Sequence, residues 1–440
     1  MPSPDPEPRE SGLIRAIGTP GLTASIINTT VGAGIFVLPA TVAGALGPAA
    51  PIAFVLCAIA MGLIVTCFAL AGSRVSLSGG LYSYVEVAFG PYVGFLAGVL
   101  FFITITLGAA SVGAAFAGAI AFAFPALGSG FNRTALLLCV FALFASVNIL
   151  GVRSGTRLMG TLTIIKLVPL LIFVAVGAFF VRPELIALPV WPGGNAVGQS
   201  VLLLIFAFSG IEIALAPSGE IKNPARTVPR AIFSALLVTT TLYIAIQLVA
   251  QGVLGPDLAN FTGAPLAEGA TRFLGNFGRS LMLIGGAISA LGFISGDILA
   301  SPRIIYAFSR DGFLPRLFGR VHPRFRTPYV AIITYTLIGL IGAASSTFEQ
   351  LAVLSNIALL MLYLFCSAAT WELIRRDVRQ EGEPFRFRGQ KAVPIMAAIV
   401  IGWILWHATW REFAAASVVF VLTTLLYFIR QIATGRRAAA

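Results

Sequence analysis

Long apolar runs alternate with short polar stretches along most of the chain. Most of these runs are about 20 residues long, the length that a helix needs to cross a hydrocarbon layer of roughly 30 Å. Because lipid offers the backbone no hydrogen-bond partner, such runs must be helices. The pattern predicts an all-α polytopic membrane protein with about 12 transmembrane helices. The predicted spans are 22–44, 48–72, 92–124, 133–151, 158–181, 197–220, 229–254, 280–306, 329–346, 348–371, 392–408 and 411–432.

Composition and charge agree with this pattern. Hydrophobic residues make up 58% of the chain and charged residues 10%, and the mean hydropathy is +0.94, far from the balance of a soluble domain. Most Lys and Arg residues fall in the loops that share a side with both termini. This asymmetry predicts a multi-pass protein of the cytoplasmic membrane with both termini in the cytoplasm. It also accounts for the net charge of +12, so we expect no nucleic-acid partner.

Several kinds of active centre are not expected from the residues present. The four cysteines fall inside predicted spans without CxxC spacing, and the two histidines are isolated. We therefore expect no metal site and no cofactor. A GxxxxGK[ST] phosphate loop is absent, as is a paired nucleophile and base, so neither an ATP-driven pump nor an enzyme is expected.

Two predicted spans are interrupted by glycine near their middle. The first contains Gly32-Ala33-Gly34 and the sixth contains Ser209-Gly210. Five spans separate the two positions, so the second copy lies upside down in the membrane relative to the first. Interrupted spans at corresponding positions of inverted halves are typical of a transporter site at the bilayer midplane. The alternative is that these glycines only allow close helix packing.

Four longer motifs carry a resemblance to a known family. They are Gly32–Phe36 with Leu38–Ala40, Ser78–Tyr84 continuing to Phe95, Gly219–Arg230, and Ser301–Arg303 with Tyr306–Pro315. In this order, they resemble the amino acid-polyamine-organocation transporter superfamily. The resemblance implies a leucine-transporter-like fold of two inverted repeats and two further helices. The implied units are a tail at 1–21, repeats at 22–181 and 197–371, two appended spans at 392–432, and a tail at 433–440.

The resemblance also implies a substrate site where the first and sixth spans unwind. A substrate carboxylate would bind the amides of Gly32–Ile35, at the positive end of the following half-helix. A substrate ammonium would bind free carbonyls near Phe206–Ser209. Phe206 and Phe208 would gate the site or serve as packing bulk, and Ala33 replaces the family's common serine. The candidate substrate-binding residues are Thr30, Gly32, Ala33, Gly34, Ile35, Phe206, Phe208, Ser209 and Gly210.

Three ionisable residues lie deep in predicted spans, where a charge costs roughly 2.5 to 3.5 kcal/mol on insertion scales. Lys166 resembles a lysine that takes the place of bound sodium in sodium-independent members of the family; structural ion pairing is the alternative. Asp297 could couple transport to protons or serve as a counter-ion, and its pairing with Lys166 is geometrically allowed. Glu212 could cap the half-helix after the second break or relay protons.

These observations predict secondary active transport of amino acids, without sodium, by proton symport or amino acid exchange with alternating access. The expected partners are a small-molecule substrate, either an amino acid or a related amine, membrane lipid and, in the symport case, protons. Transport of polyamines or organic amines by the same fold is one alternative. A receptor or channel that transports nothing actively is the other.

Overall fold

The computed structural model describes residues 17–75, 80–150, 155–187, 192–215, 221–310, 314–380 and 382–433, and these are mostly helical. Residues 1–16 of the predicted tail at 1–21 and residues 434–440 of the predicted tail at 433–440 lie outside the described residues. So do residues 78–79, 219–220 and 311–313 of three sequence motifs. The helices of the described part are α1 (Thr19–Thr30), α2 (Gly34–Leu46), α3 (Ala50–Gly72), α4 (Leu81–Phe89), α5 (Pro91–Ala123), α6 (Gly130–Leu150), α7 (Gly155–Gly177), α8 (Gly194–Phe208), α9 (Ile211–Ala214), α10 (Pro224–Leu254), α11 (Pro265–Ala300), α12 (Pro302–Arg310), α13 (Tyr329–Ser345), α14 (Phe348–Arg375), α15 (Ala392–Trp406) and α16 (Trp410–Ala433).

The helices are suited to a membrane by length and by surface. Among the described residues, eight helical segments are long and apolar enough to cross a bilayer, and three shorter apolar helices accompany them. Large apolar side chains stay exposed on the outside, for example Leu237 at 69%, Ile341 at 65% and Leu422 at 61%. Such a surface is costly in water and favourable against lipid tails. The prediction of an all-α polytopic membrane protein is confirmed.

Two helical stretches were not among the predicted spans. One is α4, whose nine residues are too few to cross a membrane. The other is the first part of α11, where Gly275 adopts a positive φ of 59° and separates two helical pieces. This piece contains Glu268 and Arg272, which pair at 3.7 Å, so its hydropathy is too low for a span. A search for apolar runs therefore overlooks α4 because it is short and the first part of α11 because its hydropathy is low.

The long helix α5 lies at the centre of the packing. It contacts α11, α13 and α14 along its length, while α1 packs on α10, and α3 packs on both α8 and α10. The short helices α2 and α8 contact each other, as do α1 and α9. The two interrupted spans are therefore enclosed by the longer helices. The division into repeats at 22–181 and 197–371, with 392–432 appended, stays a prediction.

The N-terminal side of the molecule is defined as the side on which α1 begins. The far side is the side on which α2 ends. Ile17, just before α1, forms an isolated parallel bridge with Ile221, just before α10. In this bridge the Lys222 N–H donates to the Ile17 carbonyl at 2.9 Å. The starts of α1 and α10 are thus held together on the N-terminal side.

Candidate functional site

The chain leaves the helix between α1 and α2. The Val31 N–H still bonds to the Ile27 carbonyl at 2.9 Å, but the Gly32 N–H turns back to the Thr30 carbonyl at 2.8 Å. This turn leaves the Asn28 carbonyl without its usual donor four residues on. At the start of α2, the first N–H groups have no partner within the helix. The first break therefore presents free carbonyls on one side and free amides on the other.

A second break separates α8 from α9. Ser209 is extended, with ψ of 164°, and Gly210 has φ of 112°, a backbone conformation that side-chain-bearing residues rarely adopt. The Ser209 hydroxyl donates to the Phe206 carbonyl at 2.8 Å, which holds the end of α8. The glycine thus sets the position of this break.

The two breaks touch each other. A Cβ atom placed on Gly210 would lie 2.5 Å from the Thr29 carbonyl oxygen, and one on Gly34 would lie 3.2 Å from Phe206 Cδ1. Only residues without a side chain allow this approach. The two breaks therefore pack directly against each other.

Tyr243 of α10 joins the ends of the two half-helices. Its phenol lies 3.0 Å from the Thr30 carbonyl oxygen and 3.0 Å from the Ala207 carbonyl oxygen, so a single O–H is shared between them. The residue is fully buried, and its ring packs on Phe208 with centroids 5.1 Å apart. Sequence reasoning missed Tyr243. A polar hydroxyl in the middle of an apolar span was the signal that could have found it.

A cavity lies between the breaks. Seven of the nine predicted binding residues line it, and Ile35 and Phe208 do not. Ile35 and Phe208 are instead buried in the packing around it. The lining residues are Thr29, Thr30, Gly32, Ala33, Gly34, Thr104, Ile105, Gly108, Val112, Phe206, Ser209, Gly210, Glu212, Ile213, Phe293 and Ser355.

Two hydroxyls point to a polar ligand in this cavity. Thr30 and Thr104 are 3% and 5% exposed, and their Oγ1 atoms have no hydrogen-bond partner among the described residues. An unpaired buried hydroxyl costs about 1 to 3 kcal/mol, so a ligand that bonds to it gains correspondingly. Ser355 of α14 donates to the Thr104 carbonyl at 2.8 Å and so ties α14 to this wall.

Phe206 covers the cavity toward the far side. Its ring packs edge-on against Phe348 at the start of α14, with centroids 5.4 Å apart. Farther along α2, the Thr41 hydroxyl donates to Glu349 Oε1 at 2.9 Å. These contacts join α2 and α8 to α14 on the far side of the site.

Glu212 fastens the second break to α14. Its Oε1 atom accepts from the Gly210 N–H at 2.9 Å, and its Oε2 atom accepts from the Tyr363 hydroxyl at 2.8 Å. The residue is 3% exposed. Because both carboxylate oxygens carry hydrogen bonds, the side chain links Gly210 to α14.

Lys166 bonds to the first break. Its ammonium donates to the Asn28 carbonyl at 2.5 Å, which is the carbonyl that the turn at Gly32 leaves free. The residue is 6% exposed. The C-terminal end of a helix carries partial negative charge, so the ammonium lies where a cation is favoured.

Asp297 belongs to a separate cluster. Its carboxylate accepts from the Ser301 hydroxyl at 2.6 Å and from the Tyr335 hydroxyl of α13 at 2.5 Å. Within the described part of the chain, no ion pair joins it to Lys166. A Cβ on Gly285 would lie 2.8 Å from Pro169 Cγ, which fixes the register of α7 against α11. Counted from that contact toward the N-terminal side, Lys166 lies three residues along α7 and Asp297 lies twelve residues along α11. The two side chains therefore differ in depth along the helix axes by roughly 13 Å.

Known proteins resemble the chain over nearly its whole length. A family model described as "Amino acid permease" matches residues 17–439. The methylthioribose transporter of Bacillus subtilis (strain 168) is 31% identical over 96% of this chain and 94% of its own length. The branched-chain amino acid permease BcaP of the same organism is 26% identical over 96% and 94%. The serine/threonine exchanger SteT, also from that organism, is 28% identical over 85% and 86%.

Proposed function

The chain belongs to the amino acid permease family, and on this premise we propose that it carries amino acids by alternating access without sodium. The names of the family and of its relatives are those of transporters, not of enzymes. Two of those relatives are named for branched-chain amino acids and for serine and threonine. The proposed substrate therefore carries an α-carboxylate and an α-ammonium.

The meeting of the two breaks around one cavity is the observation that carries this proposal. The free amides at the start of α2 form an anion site at a helix N-terminus, and the unpartnered hydroxyls of Thr30 and Thr104 add two further polar groups. The α-carboxylate binds these amides around Gly32–Ile35. The α-ammonium binds the carbonyls at the end of α8, near Phe206–Ser209, where the helix dipole is negative.

Uptake into proteoliposomes tests this assignment. Amino acids should inhibit uptake of a labelled amino acid, and the amines obtained by decarboxylating them should inhibit at least about tenfold less, since one charged hydrogen bond is worth about 1.5 to 3 kcal/mol. Equal inhibition by the amines would contradict the carboxylate site. It would favour transport of organic amines instead.

A substitution at Gly34 tests the position of the site. Gly34→Val should abolish binding while the protein still inserts, because its side chain would enter the space against Phe206. Gly21→Val is the matched control, since a Cβ at Gly21 on α1 has no atom within 4 Å. Unchanged affinity in the Gly34 variant would move the substrate site elsewhere.

Sodium independence is supported by the contact of Lys166 with Asn28. In transporters with broken helices, such freed carbonyls are where a coupling cation binds. The ammonium occupies this position and repels a second cation within a few ångströms. Replacing sodium with choline should leave uptake unchanged, and Lys166→Met should reduce uptake several-fold. Strict sodium dependence, or normal uptake by Lys166→Met, would refute the role of Lys166.

Two modes of energy coupling remain: proton symport if Lys166 releases its proton during the cycle, and amino acid exchange if it stays charged. Amino acid exchange needs internal amino acid, whereas proton symport needs an inward proton gradient. Uptake into vesicles with each condition varied separately distinguishes them. We propose exchange, because Lys166 donates to a neutral carbonyl and Asp297 bonds to hydroxyls in a separate cluster, so among the described residues the two groups do not bond to each other. Uptake driven by a proton gradient into empty vesicles would refute exchange.

The N-terminal side is proposed to face the cytoplasm, because the basic loops gather there. Arg324 is exposed in one of these loops. A cysteine at Arg324 should react with a membrane-impermeant maleimide in inside-out vesicles and not in intact cells. The opposite labelling pattern would reverse the proposed orientation.

A further inference from the structure

A second cavity adjoins the candidate site on the far side. It lies between α2, α5 and α11 and shares Ala33 with the first cavity. We call it the apolar chamber, defined by Ala33, Phe36, Phe116, Met282, Gly286 and Ala290. The proposed binding of the substrate's α-carboxylate and α-ammonium does not involve this chamber.

One face of α5 lines both cavities. Thr104, Gly108 and Val112 line the first, and Ala115 and Ala119 line the chamber. These residues follow each other at intervals of three or four, so they lie on the same face of the helix. Thr104 lies about 16 Å from Ala115 along the helix, so the chamber is within reach of a molecule held near Ala33 and not of one held at Thr104.

The chamber offers no partner to a charge. All of its lining residues are Ala, Gly, Val, Leu, Phe or Met. In the first cavity the ionisable lining residue is Glu212, whose two oxygens already accept hydrogen bonds. A charged or strongly polar substrate side chain would be buried here without compensation.

We propose that the transported amino acids have uncharged apolar side chains of medium size, aliphatic or thioether, and that this side chain lies in the apolar chamber. This proposal rests on the proposed function. The free hydroxyl of Thr30, with the amides of the first break, holds the polar end in the first cavity. The apolar end extends past the small side chain of Ala33, which lines both cavities.

Gly286 limits the size of the chamber. A Cβ on this residue would lie 3.2 Å from Phe36 Cδ1 and 3.5 Å from Phe36 Cγ, so even a methyl group narrows the space opposite Phe36. Ala119, at the far end of the α5 face, offers an independent position for filling the same space. These two residues are inferred to determine specificity for long side chains.

Competition against a labelled amino acid in proteoliposomes tests the proposal. In the unmodified protein, leucine, methionine and valine should compete at least about tenfold better than lysine or aspartate. Gly286→Ala should weaken competition by leucine and methionine about tenfold relative to alanine, since one methylene is worth 10-fold or more in an apolar pocket. Gly118→Ala is the control, because a Cβ on that α5 residue meets no atom within 4 Å.

Each outcome decides one of the two proposals. If no amino acid competes, the proposed function fails. If amino acids compete and the charged ones compete best, the chamber proposal fails while the proposed function stands. If Gly286→Ala does not accumulate in the membrane, Ala119→Leu provides the same comparison. If both variants accumulate and keep the preference of the unmodified protein, the chamber does not hold the substrate side chain.

Discussion

Replacing Glu212 should separate its structural role from a role in moving protons. Glu212→Ala removes the acceptor of the Gly210 N–H and the acceptor of the Tyr363 hydroxyl, which bond to it at 2.9 Å and 2.8 Å. Each buried group left unpaired costs about 1 to 3 kcal/mol, so the expected destabilisation is about 2 to 6 kcal/mol. Glu212→Gln keeps an oxygen for the Gly210 N–H and offers an N–H to the phenol oxygen. Its expected cost is about 1 kcal/mol.

The assay compares melting temperatures in one detergent with uptake in proteoliposomes. We expect the alanine variant to melt well below the glutamine variant, which should stay near the unmodified protein and retain exchange. Tyr363→Phe should cost about 1 to 3 kcal/mol, since it leaves one buried carboxylate oxygen unpaired. The double variant Glu212→Ala with Tyr363→Phe should cost less than the sum of its parts, because the orphaned hydroxyl is gone.

Two results would refute this reasoning. If glutamine destabilises the protein as strongly as alanine does, the hydrogen bonds of Glu212 are not what holds the break. Additive effects of Glu212→Ala and Tyr363→Phe would show that the two side chains are not coupled. A stable glutamine variant that loses uptake only under a proton gradient would instead identify Glu212 as a proton relay.

Substitutions at three further positions test the remaining assignments. Tyr243→Phe should lower stability by about 1 to 3 kcal/mol in a melting assay and reduce uptake, since it leaves the buried Ala207 carbonyl without a donor and the Thr30 carbonyl with only the Gly32 N–H; unchanged values would refute the bridge. Gly210→Ala should abolish uptake, because its φ of 112° and the 2.5 Å approach to the Thr29 oxygen exclude a methyl group; Gly402→Ala, with nothing within 4 Å, is its control. Asp297→Asn should retain exchange, because the amide oxygen still accepts from a hydroxyl. Asp297→Leu should lower the melting temperature, because leucine accepts no hydrogen bond. Loss of exchange in Asp297→Asn would show that transport requires an ionised carboxylate at this position.

The positions of the two breaks could be predicted because their cause is local. Glycine in the middle of an apolar span lowers helix stability and permits a positive φ, and both effects depend on the residue itself. Gly210 shows this directly with its φ of 112°. The fold class was predictable for a similar reason, since the length of an apolar run determines whether it can cross a bilayer.

The walls of the cavity could not be predicted in the same way. Because α5 is apolar on nearly all sides, its hydrophobic periodicity does not indicate which face meets the site. Thr104 therefore could not be distinguished from the other residues of that helix. The same holds for Tyr363 of α14, whose phenol meets Glu212 across 151 residues of chain.

The partner of Lys166 illustrates a different limit. A buried lysine suggests a carboxylate partner, and Asp297 was the candidate at a compatible depth. In the structure, the ammonium bonds to the backbone carbonyl of Asn28. Every residue has a backbone carbonyl, and the geometry of the turn decides which one is free. The partner of Lys166 therefore could not be predicted from residue types.

The hydrogen bond between Ile17 and Lys222 has a consequence for the proposed alternating-access motion. It joins main-chain atoms, the Lys222 N–H and the Ile17 carbonyl, and Ile17 lies two residues before the start of α1. Any motion that swings α1 outward must therefore either carry the start of α10 with it or first break this hydrogen bond. Side-chain substitutions at these positions leave the bond in place, whereas a proline at residue 222 would remove its donor. In the proposed transport cycle, this constraint depends on a main-chain hydrogen bond and not on the side chains of Ile17 and Lys222.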